Sequence, residues 1–317
     1  MRVSDSAFLH ELHARFGAPR DRIISCVEHE TGRFVEALER VVNGYDNEVY
    51  RVGLAGAETV YLRIRRFGEG DFDGEVWAMV RARQAGVPVP EVVSVDRMLT
   101  DDGERSVMIV RTAAGRALET MSSPDDRRAA LVDLGRTLRQ LHAIPTPGMW
   151  RPDGNGRWLS VDALRAGFVR DRQGEREHLV RAGLGGAEIE QTYRVLEEFP
   201  GRLPVVPVLC HGDLNRGHIF VDDDRRVSCL IDWGMWHGGS VEGEFAGLWK
   251  TVGLDGLEHV LRGHGEQTTT DTVFRGTIAK ALVQQQIGHI AHHAMIGDSH
   301  GVRRNVGFLR QGLAELT

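Results

Sequence analysis

The residues best suited to chemistry lie in one stretch, His211-Gly212-Asp213-Leu214-Asn215-Arg216-Gly217-His218-Ile219-Phe220-Val221. Nine residues after Phe220 a second run begins, Cys229-Leu230-Ile231-Asp232-Trp233-Gly234. A polar loop, a tight hairpin around Asp222-Asp223-Asp224 and an aspartate closing an apolar strand bring two carboxylates close together. Asp213 lies in the loop, Asp232 ends the second strand and His218 begins the first. One carboxylate can take a proton from a hydroxyl while the other, with a neighbour, holds a metal ion that bridges phosphates.

The elements around this run fall into two patterns. Residues 5–17 have helical spacing, and residues 21–42 are ambiguous between short strands and a helix. A turn cluster at 43–47 leads into Val49, Tyr50 and Val52, a Gly/Ala turn at 53–57 and then Thr59 to Ile64, which is hairpin spacing. Residues 71–86 read as a helix that Pro88 and Pro90 break. Strands follow near 91–95 and at 107–110, with a turn at 101–103. After Gly115 the chain turns helical. Ser123 and Pro124 open a helix running to about Leu141, with Ala130, Leu131, Leu134, Leu138 and Leu141 as its apolar stripe. Residues 160–199 read as two or three helices with a Gly-rich break at 183–186. Short strands are expected at 218–221 and 227–231, and helices over 241–317. The expectation is an α+β protein with a sheet-rich part over 1–112 and a larger helical part over 113–317.

The catalytic run resembles that of the aminoglycoside phosphotransferase family of kinase-like enzymes: H-G-D, four residues, then usually N, with a later I-D-W or I-D-F. The resemblance implies that Asp213 is the catalytic base and Asp232 a magnesium ligand. Glu244-Phe245-Ala246 stands where the family's D-L-A anchors the loop. The turn and strand at 43–52, containing Asn47 and Val49, are similar to the nucleotide-covering loop. Tyr61-Leu62-Arg63-Ile64 matches the strand that carries the phosphate-contacting cation, so Arg63 takes that role and Glu75 pairs with it. Gly86-Val87-Pro88-Val89-Pro90 is similar to the G-x-P-x-P that follows. Val107 to Thr112, with Ile109 and Arg111, falls where the hinge meets the adenine, and Leu141-His142 ends an L-x-x-L-H helix. The implied architecture is two-lobed and protein-kinase-like. The implied reaction moves the γ-phosphoryl group of ATP or GTP, with Mg2+ or Mn2+, to a hydroxyl of a small molecule, with an antibiotic as the leading class.

His218 departs from the family, which usually has Asn there. Imidazole suits manganese, zinc or iron better than magnesium, which prefers oxygen. Altered metal preference, replacement of the ligand by water or Asn215, and a weakened second metal all remain open. H-G-D-L-x-x-G-H also resembles the macrolide phosphotransferases of this family.

Composition excludes other classes. The chain has 317 residues, 41% hydrophobic and 26% charged, so it is an ordinary globular protein. Its net charge of −6 argues against nucleic acid or an anionic membrane as partner. The three cysteines are far apart, and no apolar run approaches membrane-spanning length, so the expected location is the cytoplasm. Neither lysine, Lys250 or Lys280, follows a glycine, which excludes a Walker A loop. Gly297-Asp298-Ser299-His300-Gly301 is a G-x-S-x-G, but a helical segment precedes it and no aspartate follows, so a helix-connecting loop is expected. His289, His292 and His293 read as one helix face. Trp233 and Trp236 fit packing or substrate contact equally. A metabolic small-molecule kinase and a nucleotide-binding protein without turnover are the alternatives, and a monomer or homodimer is expected.

Overall fold

The computed structural model describes residues 17–42, 47–66, 70–101, 103–167, 173–265 and 272–317. The helix expected over 5–17 lies outside the described residues except for Gly17, as do the turn residues 43–46 and Asp102. The chain forms two compact units, one within 1–80 and 89–114, the other within 81–88 and 115–317.

In the first unit, β1 (Val35–Val41), β2 (Asn47–Leu54), β3 (Glu58–Arg65), β4 (Val92–Thr100) and β5 (Gly103–Arg111) form an antiparallel sheet in the order β1-β2-β3-β5-β4. The two-residue alternation of a strand decides its faces. Val60, Leu62 and Ile64 of β3 turn inward with Tyr50, Val52, Leu54, Val107 and Ile109. Tyr61, Arg63 and Arg65 occupy the other face. The ambiguous 21–42 segment resolves into α1 (Arg20–Thr31) followed by β1. Helix α1 buries only Ile23 and Val27, one turn apart, which leaves little periodicity to read. It ends at Gly32, whose φ of 65° is the left-handed stop that glycine permits. The fully buried Glu48 is ion-paired with Arg105 Nη2 at 2.5 Å and accepts from the Ala18 N–H at 3.0 Å and the Tyr50 hydroxyl at 3.0 Å. Those partners offset the cost of burying a carboxylate. Helix α2 (Asp73–Gln84) carries Glu75.

The second unit begins with β6 (Arg116–Ala117) and α3 (Pro124–Leu141). The Ser123 side chain caps α3 by accepting from the Asp126 N–H, and the expected apolar stripe is buried. Four short helices follow, α4 (Val161–Gly167), α5 (Gln173–Arg181), α6 (Gly186–Glu197) and α7 (Phe199–Arg202). Then come β7 (Val208–Cys210), the hairpin β8 (Ile219–Val221) and β9 (Val227–Leu230), and β10 (His237–Gly239), which pairs with β7. Among the described residues three long helices follow: α8 (Val241–His264), α9 (Thr272–Met295) and α10 (Ser299–Ala314). Helix α8 breaks its pattern at Gly253, where φ is 74° and ψ 174°. Helices α3 and α8 meet through glycine: a methyl group on Gly135 would collide with the Val260 carbonyl, and one on Gly263 with the Val132 carbonyl. The G-x-S-x-G links α9 to α10, with Asp298 capping α10 by accepting from the Gly301 N–H at 2.8 Å. Ser299 is thus the first residue of a helix that follows another helix, not a strand, and no nucleophile elbow forms.

Candidate functional site

Strand β7 delivers the chain into the loop 211–218, and two buried groups fix its course. The Glu244 carboxylate, at the start of α8, accepts from the His211 N–H at 2.5 Å and the Gly212 N–H at 3.1 Å. Burial pushes the pKa of Glu244 up to about 7, although both hydrogen bonds favour its charged form. The His211 ring is fully buried and accepts the Asp213 N–H at Nδ1 (3.3 Å), so Nε2 carries the proton donated to the Ile231 carbonyl at 2.9 Å. Desolvation pushes His211 down to about 4, with His218 adding to the effect, so the ring stays neutral. Gly212 has φ 82°, and a Cβ there would strike the Met235 carbonyl. These contacts leave Asp213 about half-exposed.

The hairpin supplies the other groups. The Ile231 N–H donates to the His218 carbonyl at 2.9 Å, which sets the end of β9 against the loop. Asp232 adopts φ 63° and ψ 67°, a left-handed conformation that Asp tolerates better than most residues. The next residue, Trp233, is fully buried, donates to the Leu230 carbonyl at 2.8 Å and stacks near His211 with ring centroids 4.8 Å apart. That plug turns Asp232 outward. Trp233 is therefore packing. Trp236 is also buried, with Trp158 at 6.0 Å between ring centroids.

Asp213, His218 and Asp232 converge, with ligand atoms all within 4.8 Å of one another. His218 Nδ1 lies 2.8 Å from the Asp213 carbonyl and 3.5 Å from its Oδ2, and His218 Nε2 lies 3.7 Å from Asp232 Oδ2. Nδ1 thus faces both the Asp213 carbonyl and the Asn215 Nδ2 amide at 2.8 Å, and Nε2 is on the Asp232 side. Asn215 accepts the Gly217 N–H at 2.9 Å, which points its Nδ2 at the same imidazole. Two carboxylates and one imidazole form a donor set that fits a divalent cation, with more nitrogen character than magnesium prefers.

In the first unit Arg63 Nη1 meets Glu75 Oε2 at 2.6 Å, and Arg65 Nη2 meets Glu75 Oε1 at 2.6 Å. Both guanidiniums lie over the buried Phe72 ring, at 5.4 and 4.5 Å from its centroid. Arg65 was not foreseen, although its two-residue offset from Arg63 puts it on the same face. Val49 pairs with Arg63 and Asn47 with Arg65 across β2 and β3. Ile109 pairs with Leu62 and packs in the core, on the face away from Arg63. Its main chain is also paired toward Ser94. Arg111 salt-bridges Glu58 and Glu91, and its N–H donates to the Glu91 carbonyl at 2.9 Å. Arg63, Glu75, Asn47 and Val49 are thus brought together, whereas the side chains of Ile109 and Arg111 are not with them.

Within the second unit Asp213 opens onto a cavity of about 1400 Å³. Its lining comes from segments far apart in sequence, including Trp150, Arg202, Met235, Glu242, Lys250 and Arg304. No local spacing announces such a cavity. His289 also lines it, while His293 pairs with Asp298 at 2.9 Å.

The sequence and the fold are similar to those of known proteins. Residues 37–275 match the model of the phosphotransferase enzyme family (APH). The chain belongs to that family. The phosphotransferase also shares its fold with solved structures. One is a thermostable mutant of aminoglycoside phosphotransferase APH(4)-Ia in complex with AMP-PNP and hygromycin B, at 16% identity and TM-score 0.68, covering 93% of this chain and 99% of the other. Another is macrolide 2'-phosphotransferase MphH from Brachybacterium faecium, at 17% identity and TM-score 0.57, covering 91% and 98%. A third, from Thermobifida fusca YX-ER1 and provisionally assigned as a fructosamine-3-kinase, has 19% identity and TM-score 0.58, covering 90% and 98%. No curated protein matches in sequence. The family and the kinase-like α+β fold expected from the H-G-D and I-D-W runs are therefore borne out. Among the described residues no helix is long and apolar enough to cross a membrane.

Proposed function

We propose that this phosphotransferase moves the γ-phosphoryl group of ATP or GTP to a hydroxyl of a small molecule, with Asp213 as base. The observation that supports this most is the convergence of Asp213, His218 and Asp232 on a loop that Glu244 fixes by two hydrogen bonds. Asp213, half-exposed on the cavity wall, orients the acceptor hydroxyl and takes its proton. Asp232 and His218 would hold Mg2+ or Mn2+, which when bound supplies positive charge against the phosphates. Glu75 holds Arg63 in place to neutralise further phosphate charge. Asn47 and Val49, beside Arg63 and Arg65, form the strand under the nucleotide. Ile109 and Arg111 act by setting the course of the chain past β5, because their own main chains are already paired. Such a site works by positioning and preorganised charge.

The acceptor class placed first is an antibiotic, supported by neighbours named for hygromycin B and macrolides. The fructosamine-3-kinase neighbour supports a second reading, a metabolic hydroxyl compound. A cytoplasmic monomer or homodimer acting on a small molecule, without nucleic acid or membrane, completes the proposal. The test is a nucleotide-consumption screen over antibiotics and metabolites, repeated with Asp213→Ala. Loss of the base should lower turnover on the order of 10² to 10⁴ while AMP-PNP affinity stays within about threefold. Near wild-type turnover in the variant would remove Asp213 as base. Nucleotide binding with no turnover on any acceptor would favour the non-catalytic alternative.

A further inference from the structure

The charge lining the acceptor cavity is uneven once its internal pairs are set aside. Arg202 donates to the Val195 carbonyl at 3.0 Å, and Glu198 and then Glu242 attract its charge. Glu244 is committed to the His211 and Gly212 N–H groups. Among the described residues, the acidic side of the lining is then Asp213 together with Glu242. Against it stand Arg151, held by the Trp236 carbonyl at 2.8 Å and by the Gly234 carbonyl, together with Lys250 of α8 and Arg304 of α10.

Lys250 and Arg304 are the informative pair. Neither makes a hydrogen bond or an ion pair with a described residue. Lys250 is half-buried, and Arg304 is exposed to the cavity. Burial lowers the Lys250 pKa, with Asp213 acting to raise it and Arg304 to lower it, so the two cations feel each other. His289 of α9 lines the same space, and its imidazole is held low first by desolvation and next by Lys250, with Arg304 contributing. Two like charges sharing a concavity repel each other, and an anion from solution would add to the attraction that Asp213 already gives Lys250. The same charges repel a polycation. Elsewhere in the lining Trp150 and Met235 are 48% and 52% exposed, which offers an apolar surface to the body of a ligand.

We propose, on the basis of the kinase reading above, that the acceptor carries an anionic group, a carboxylate or a phosphate, that Lys250 and Arg304 bind while Asp213 takes the proton of a hydroxyl elsewhere on the same molecule. The acceptor is then an anionic hydroxyl compound with an apolar face, and a polycationic amino sugar is a poor fit. Lys250 and Arg304 act as specificity-determining residues.

The test uses the full-length protein saturated with AMP-PNP and Mg2+, so that nucleotide-phosphate contacts are occupied. Calorimetric titration with glutarate, inorganic sulfate and spermine, at constant ionic strength and each corrected by the same titration into AMP-PNP and Mg2+ without protein, reads the cavity. Glutarate or sulfate should bind saturably, at least tenfold more weakly in Lys250→Met and in Arg304→Ala, and within threefold of wild type in Lys250→Arg. Spermine should not bind saturably. Arg304 is exposed, so Arg304→Ala keeps the test valid if Lys250→Met fails to fold. Equal anion affinity in wild type and both variants, no saturable anion binding, or saturable spermine binding would each overturn the proposal. The AMP-PNP titration is read separately. Its failure with either Mg2+ or Mn2+ defeats the kinase reading, and the anion titrations, then run without nucleotide, still decide the charge of the cavity.

Discussion

Glu244→Gln should separate the stability of this protein from its activity, in a way set by pH. The carboxylate is buried, and its pKa rises from an ordinary 4.5 to about 7 in the folded chain. Between those values the native state holds a proton that the unfolded state has released. Stability therefore falls as pH rises through this window. A gap of about 2.5 pH units at 1.36 kcal/mol each gives a loss of about 3 kcal/mol by pH 8. Glutamine keeps the shape and cannot ionise, so the variant lacks this loss. It does set an amide N–H₂ against one of the two loop N–H groups, a roughly constant cost of about 1–3 kcal/mol. Urea denaturation of both proteins at pH 4.5 and pH 8 should show the variant gaining about 3 kcal/mol relative to wild type across the range. The constant cost shifts both points and leaves their difference. Turnover should meanwhile drop about tenfold or more, because the loop carrying Asp213 loses one of its two fixed bonds. A stability difference independent of pH would refute the buried, late-ionising carboxylate. Unchanged turnover would refute its hold on the loop.

Glu75→Gln faces two guanidiniums with an amide where a buried carboxylate held both. It should cost about 3–5 kcal/mol in a denaturant titration and raise the nucleotide KM more than it lowers kcat. Gly212→Ala must find room for a methyl group at a φ of 82° against the Met235 carbonyl. A fall of more than about 1 kcal/mol in stability with a larger fall in turnover is expected, and wild-type values for both would show that the loop yields easily. His218→Asn replaces the nitrogen facing Asp232 with an amide. The ratio of Mn2+-supported to Mg2+-supported turnover should fall, and an unchanged ratio would assign His218 a structural role only.

Chemistry-bearing residues were legible because their types are constrained one by one. Asp213, His218 and Asp232 sit on a short loop and a tight hairpin, so sequence distance nearly equals spatial distance. The Arg63–Glu75 pair came through the family pattern, and the structure adds Arg65 to the same carboxylate. What stayed hidden depends on distant partners. Glu48 looked like part of a loop strand, but it answers to Arg105 from another strand and to the Ala18 N–H. Segment 21–42 was ambiguous because α1 buries just two side chains among charged neighbours. The cavity beside Asp213 gathers Trp150, Lys250 and Arg304 from elements with no common periodicity. The interruption of α8 at Gly253 carries no proline to announce it.

The glycine contact between α3 and α8 divides the acceptor cavity into a wall that can change over generations and one that cannot. Any larger residue at Gly135 or Gly263 would drive the part of α8 beyond Gly253 away from α3, while Glu244, before that break, holds the loop of Asp213 by two hydrogen bonds. Mutation there is filtered by its effect on every substrate at once. Helices α9 and α10 reach the cavity with side chains such as Gln284, His289, Arg304 and Phe308, and none of them holds the loop. Substitutions on these two helices can redraw what the cavity accepts while leaving phosphoryl transfer intact. A lineage built on this chain would acquire new acceptors through its last forty-odd residues, and directed evolution of its specificity should be aimed there first.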